Sequence, residues 1–215
     1  SKVASLHGID GARAAVKAQE EAIEQVRAFC ADAGLEQHTP GENAELAVAH
    51  TPYQLEQLHE ESREFKRILG LKIPVMDKQE LNAIGAKSPA FYGGMIEPWG
   101  FGLHPMNYVR ALADSTIDAG ATLSTQTEIH KISQQDGQYV LSSPNCEIRA
   151  KKIIIATNGY TAENIPDWSK GRILPAVSSI IVTRPITTAE QQRQGWTTHH
   201  QTYDTRTLLH YFRLL

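Results

Sequence analysis

Residues 121–160 read ATLSTQTEIHKISQQDGQYVLSSPNCEIRAKKIIIATNGY. The stretch predicts a strand over Ala121–Ser124, a second over Thr127–Ser133 and a third over Gln138–Ser142. Asp136-Gly137 turns the chain between the last two, since Asp-Gly between alternating β-formers is a strong hairpin signal. Pro144-Asn145 marks another turn before a short strand over Cys146–Arg149. The run Ile153-Ile154-Ile155-Ala156 is apolar without alternation, the pattern of a strand buried on both faces of a parallel sheet. Thr157-Asn158-Gly159-Tyr160 follows. Open α/β sheets bind ligands at the carboxyl ends of their strands, so a hydroxyl and a glycine here offer backbone N–H groups to a bound phosphate or ring. Many strands end in glycine turns without function.

Upstream, Ser1–Ile9 carries no strong signal and reads as a loop. Asp10-Gly11 opens a helix whose Val16, Ile23, Val26 and Cys30 recur at amphipathic spacing, with a stop at Gly34. His38–Asn43 is a polar turn, and Leu46 and Val48 alternate in a strand. Thr51-Pro52 caps and starts a helix buried through Leu55, Leu58, Phe65, Ile68 and Leu69 and ended by Gly70. Asp77 caps a short helix closed at Gly85. Phe91–Pro105, FYGGMIEPWGFGLHP, sets aromatic and histidine side chains among four glycines. Such glycines allow sharp turns or close approach to a ligand, although aromatics tucked into a core explain the stretch equally. Pro105 starts a helix with Val109, Leu112, Ala113, Thr116 and Ile117 on one face, ending at Gly120.

Downstream, Thr161–Arg172 is a loop with Pro166 and Trp168. Ile173–Thr183 predicts a strand pair broken at Pro175. Thr187–Gly195 is a capped polar helix, Trp196–Thr202 a loop and Arg206–Arg213 an alternating strand.

With 215 residues, 41% hydrophobic and 21% charged, the chain is of ordinary globular composition, and a net charge of −3 gives no basic footprint for nucleic acid. Cys30 and Cys146 lack CxxC spacing and read as reduced thiols of a cytoplasmic protein. No apolar run reaches the length of a membrane span. GxGxxG, P-loop, GxSxG and HExxH motifs are missing. His199-His200 reads as a solvated pair, not a chelate; His104 either faces a pocket or is a satisfied histidine; Tyr203, Asp204 and Arg206 read as surface groups; no metal is expected.

Element order then carries the reading further. Gly102-Leu103-His104-Pro105 before a helix, Gly120-Ala121, Thr127-Glu128-Ile129, the Asp136-Gly137 hairpin, and Ala150-Lys151-Lys152 leading into Ile153–Tyr160 resemble the D-amino-acid-oxidase-like family of FAD-dependent oxidoreductases. The likeness is to the branch of gamma-glutamylputrescine oxidoreductase and glycine oxidase. Pro175 and Asp204-Thr205-Arg206 before Tyr211-Phe212-Arg213 fit it as well. The resemblance implies an α/β (α+β) fold: part of a three-layer FAD/NAD(P)-binding domain (1–45 and 105–165) and a mixed-sheet substrate domain (46–104 and 166–215). It implies FAD as cofactor, with Ile129, Thr157, Asn158 and Gly159 at the nucleotide, and Tyr92, Trp99, Tyr211 and Arg213 on the side of a small amine or amino acid. An arginine fork suits a carboxylate, while an exposed charge on an edge strand explains Arg213 as well. The family's glycine fingerprint for the FAD pyrophosphate and its closing flavin segment are not in these residues, so the chain is expected to be an internal fragment that holds FAD weakly. The implied reaction is oxidation of a C–N bond by hydride transfer to FAD. A non-catalytic α/β module and a flavoenzyme acting on a hydroxy acid are the alternatives.

Overall fold

The computed structural model describes residues 2–35, 44–161, 165 and 169–214. The polar turn at 38–43 and the positions of Pro166 and Trp168 lie outside them. The chain is a mixed α/β protein, as expected, with a five-stranded mixed sheet and a three-stranded antiparallel sheet. It divides into two compact units, Ser1–Ser115 with Pro185–Leu215, and Thr116–Arg184.

The first unit opens with α1 (Lys2–Asp32), in which Gly8 has non-helical angles (φ 74°, ψ 177°). The expected loop over residues 1–9 is therefore helical from Lys2. Glycine adopts this φ without strain, so α1 is two helical segments that meet at a kink at Gly8. After α1 come β1 (Glu45–Ala49), α2 (Pro52–Leu69), β2 (Val75–Asp77), α3 (Lys78–Ala83), β3 (Gly93–Glu97) and α4 (Pro105–Asp118). The local signals act as read. Thr51 Oγ1 accepts the Gln54 N–H and Gly70 closes α2 in the left-handed region, while Asp77 and Glu80 form a reciprocal capping box at α3.

Chain return at Pro185 adds α5 (Thr188–Gln194), β7 (Gln201–Asp204) and β8 (Tyr211–Phe212). The sheet order is β2-β3-β1-β7-β8, with β1 and β7 parallel and the other pairs antiparallel. Alternation along β1 sorts its residues to two cores. Leu46 and Val48 pack with Leu81, Ala86 and Phe91; Ala47 and Ala49 pack with Leu58, Ile73 and Met95. All of β1 beyond Glu45 is buried, and each large side chain so removed from water contributes about 1.5–3 kcal/mol. Two expectations at this end are corrected. The loop drawn over Trp196–Thr202 contains the start of β7. The strand drawn over Arg206–Arg213 is only the two-residue β8, because Asp204 captures the backbone N–H of Arg206 and of His210 and folds residues 205–210 into a turn.

In the second unit, β4 (Lys131–Gln135), β5 (Gln138–Ser142) and β6 (Glu147–Ala150) form the antiparallel sheet. Asp136 and Gly137 both have positive φ (50° and 75°), the two-residue turn that matches strand twist. Here the sequence reading overshoots. Ala121–Ser124 is not a strand, and the strand drawn over Thr127–Ser133 starts at Lys131, with only the His130 N–H reaching back to Ser142 O. Ile153–Ala156 belongs to no sheet, parallel or otherwise, and Ile154 is 93% exposed. Ile173–Thr183 is likewise unpaired, with Leu174, Val177, Ile180 and Ile181 exposed. β-branched composition supplies strand propensity but not a partner, and among the described residues no segment pairs with either run. The apolar face of α4 is also open, with Val109 and Ile117 more than half exposed.

Candidate functional site

Register brings together residues that the sequence keeps far apart. At one end of the five-stranded sheet Glu97, Glu45 and Gln201 stand side by side on β3, β1 and β7. Arg213 follows Phe212, the partner of Thr202, and its side chain and that of Gln201 both lie against Gly102. Side chains aligned across a sheet share a face, so this row alternates with the row Met95, Ala47, Tyr203 and Tyr211 on the same side.

Tyr203 Oη donates to Glu97 Oε1 at 2.7 Å. Burial raises the Glu45 carboxyl above its ordinary value, and Glu97 adds to the effect. Glu61 on α2 is raised for the same two reasons, burial first and Glu97 second. Burial and the bond to Glu97 push the Tyr203 phenol far up, so it remains a donor at any physiological pH. Glu45, Glu97, Phe65 and Trp99 wall a cleft of about 390 Å³ against Val16 and Ile23 of α1. The Trp99 ring lies 5.1 Å from that of Phe65 at an angle of 53°, and its indole N–H donates to Glu20 at 2.9 Å. Chemically the cleft pairs aromatic walls with two carboxyls, of which that of Glu45 is raised by burial.

The residues expected on the substrate side do not all meet. Trp99 and Arg213 lie toward the Glu97–Glu45–Gln201 end. Tyr92 lies at the other end of the β1–β3 ladder, donating its N–H to Ala49 O, with Lys78 Nζ 5.8 Å over its ring. Tyr211 is 72% exposed beside Tyr203, ring centroids 6.0 Å apart. Arg213 is half-buried and rests against Gly102.

In the second unit Ile129 is half-buried just ahead of β4, and Thr157, Asn158 and Gly159 are exposed. Asn158–Tyr160 forms a 3-10 turn with Asn158 at φ 48°. Thr157 Oγ1 is engaged by Thr161 Oγ1 at 2.7 Å, which leaves the Asn158 amide and the Cβ-free flank of Gly159 as the open polar surface. A Cβ on Gly159 would make ordinary contact with Pro175 at 3.6 Å.

Three sequence readings are corrected. Asp204, taken as a surface group, is 1% exposed. Burial opposes its charge, but hydrogen bonds from His210 and Arg206 prevail and hold its carboxyl below the usual range; His210 Nδ1 lies 2.8 Å away and the Arg206 guanidinium is bound directly. His199 and His200 do point apart, yet only His199 is solvated, since His200 is 5% exposed. His104 is exposed and accepts the Asn107 N–H at 3.3 Å, which makes it a cap for α4 and not a pocket group. Among the described residues no cluster of His, Cys, Asp and Glu could hold a metal ion.

Glu45, Glu61, Glu97 and Gln201 carry no motif. The only sequence trace of them is a charged or polar residue ending or starting an apolar strand, at Glu45 and Glu97, and that pattern is common on surfaces.

The sequence profile of the FAD dependent oxidoreductase family, DAO, matches residues 3–214. Among individual proteins, the chain is 28% identical over 105 residues to the probable oxidoreductase OrdL of Haemophilus influenzae, covering 47% of this chain and 24% of that protein. It is 23% identical over 169 residues to gamma-glutamylputrescine oxidoreductase of Escherichia coli, covering 79% and 39%. The chain thus spans well under half the length of these relatives. In fold it is similar to L-proline dehydrogenase from P. horikoshii (TM-score 0.65, 14% identity, 92% of this chain and 51% of that one). It is also similar to glycine oxidase from Geobacillus kaustophilus (TM-score 0.58, 20% identity, 68% and 39%).

Proposed function

The chain belongs to the FAD-dependent oxidoreductase family, and we propose that it is part of an enzyme that oxidises the C–N bond of a small amine or amino acid. The observation that carries this reading is the family match over residues 3–214, joined to relatives named for amine and amino-acid substrates. In this reading residues 1–45 and 105–165 belong to the FAD-binding domain and 46–104 and 166–215 to the substrate domain. Bound FAD supplies the hydride acceptor.

The chain's own residues orient and select. Ile129 and the Thr157–Gly159 turn contribute to the nucleotide contact. Trp99, Tyr211 and Arg213, with Tyr92 further along the sheet, contribute to the substrate side. An amine reacts in its neutral form, so apolar and aromatic walls favour the reactive species by disfavouring the ammonium. Soluble, cytoplasmic action fits the reading; no helix among the described residues is long and apolar enough to cross a membrane.

The test uses the longer protein that contains this chain, purified with FAD. Anaerobic bleaching of the flavin by members of an amine and amino-acid panel supports the proposal. Bleaching by hydroxy acids alone, or no flavin bound at all, refutes it.

A further inference from the structure

The 31 residues of α1 bury only Ala12 and Cys30. Val16, Ile23 and Val26, the apolar stripe that should seat the helix, are half-buried. Open space lies under that stripe. Val16 borders a cleft of about 540 Å³ between α1 and α2, floored by Phe65, Ile68 and Leu69. It also borders the 390 Å³ cleft of Glu45, Glu97 and Trp99. Ile23 lines that second cleft and another of about 360 Å³ beside Leu71 and Pro98. Folded interiors close such gaps, because apolar side chains in contact gain dispersion energy and shed water together. Along these clefts α1 forgoes both.

Polar and edge contacts hold it instead. Arg13 Nε donates to Ile68 O at 2.6 Å, and the Trp99 indole N–H donates to Glu20 at 2.9 Å. The Arg27 guanidinium lies 4.4 Å over the Phe101 ring, and Phe29 meets Tyr108 edge-on with centroids 5.6 Å apart. Arg13 and Glu20 are exposed, so water takes over their bonds at little net loss. The charges of α1 pair mostly along the helix itself: Arg13 with Asp10, Lys17 with Glu21, Arg27 with Glu24. Such pairs travel with the helix and are kept when it leaves its seat. In β1, by contrast, Leu46 to Ala49 are fully buried. An element with few buried apolar contacts opens at a lower free energy than the core beside it.

We infer that α1 is a lid. It lifts off α2 and the end of the sheet while the five-stranded sheet stays folded, and lifting opens the cleft between Glu45, Glu97, Phe65 and Trp99. Closed, α1 supplies one wall of that cleft through Val16 and Ile23, and Glu20 holds the Trp99 ring by its indole N–H. Lifted, it frees the ring and gives a small ligand a way in from the α1 side. No part of this motion calls for the flavin.

Thiol labelling of the 215-residue chain tests it. Ala12→Cys and Ala47→Cys place thiols at two alanines that are 4% and 0% exposed, one on α1 and one in β1. Each reacts with a soluble disulfide reagent only on opening, and peptide masses give the rate at each site. The Ala12→Cys thiol is expected to label at least about a hundredfold faster than the Ala47→Cys thiol, at a rate that low urea hardly changes, while the β1 rate climbs with global unfolding. Glu20→Ala, which removes the acceptor of the Trp99 bond at an exposed position, should speed the first site several-fold and leave the second unchanged. Labelling of both sites at one rate with one urea dependence, or an α1 rate unmoved by Glu20→Ala, overturns the lid. If either cysteine variant does not fold, backbone hydrogen exchange in the unmodified chain decides, since a helix freed from its seat is only marginally stable in water. Amides of α1 that exchange ahead of those of β1 support the lid, and exchange in step with β1 refutes it.

Discussion

Tyr203 on β7 reaches across β1 to place its hydroxyl 2.7 Å from Glu97 Oε1 on β3. The bond joins strands that never pair directly. A hydrogen bond to a charged acceptor contributes roughly 1.5–3 kcal/mol, and removing the donor leaves a half-buried carboxylate short of a partner. Tyr203→Phe is expected to lower stability by about 2 kcal/mol in urea unfolding. In Tyr203→Phe/Glu97→Gln the two losses should fall short of additive, because both variants break the same contact.

Glu45 and Glu61 have folded-state pKa values above their unfolded ones. Their stabilising contribution is complete below the unfolded carboxylate range, near pH 4, and is lost as pH rises through the raised folded values. Glu45→Gln should therefore melt higher than the parent at pH 7, with the difference closing toward pH 4. Thermal melts across pH 4–8 measure it; a difference that stays constant over that span would contradict the linkage.

Asp204 runs the other way. Its folded pKa is depressed by His210 and Arg206, so its contribution is present above the unfolded value and is lost as pH falls through the folded one. Asp204→Asn should destabilise the chain by about 1–2 kcal/mol at neutral pH, since it weakens a buried acceptor of hydrogen bonds from the part-exposed Arg206 and the exposed His210. It should also flatten the acid limb of the stability profile.

Two glycines separate packing from function. On β3 a Cβ at Gly94 would stand 2.6 Å from the backbone oxygen of Ala47, which a central strand cannot move aside. Gly94→Ala is expected to cost about 2–3 kcal/mol. A Cβ at Gly159 meets only ordinary contact with Pro175, so Gly159→Ala should change stability by less than about 0.5 kcal/mol. In the longer protein the same change should weaken FAD retention if the 157–159 turn lies against the cofactor. Flavin absorbance after dialysis, set beside urea unfolding, reads both effects.

FAD should not co-purify in stoichiometric amount with these 215 residues alone. The glycine fingerprint that would hold its pyrophosphate at a helix N-terminus is not among them. A yellow preparation with one flavin per chain would contradict this.

The sequence by itself determined the local structure: the caps at Thr51, Asp77 and Thr187, the glycine stops at Gly34, Gly70 and Gly195, and the Asp136-Gly137 hairpin. Each is settled by backbone angles and short-range hydrogen bonds, which residues a few positions apart control. It also determined the family, through the order of its elements. Tertiary structure decided everything that depends on a partner. Ile153–Ala156 and Ile173–Thr183 have strand composition yet stay unpaired, because pairing requires a neighbour that composition does not specify. Asp204 is buried, against every expectation for a polar residue in a turn, because β7 carries it under His210 and Arg206. Glu45, Glu97, Gln201 and Arg213 form a row only because β3, β1, β7 and β8 align in register. Alignment across a sheet is a property of separate strands meeting, and nothing local in any one of them encodes it.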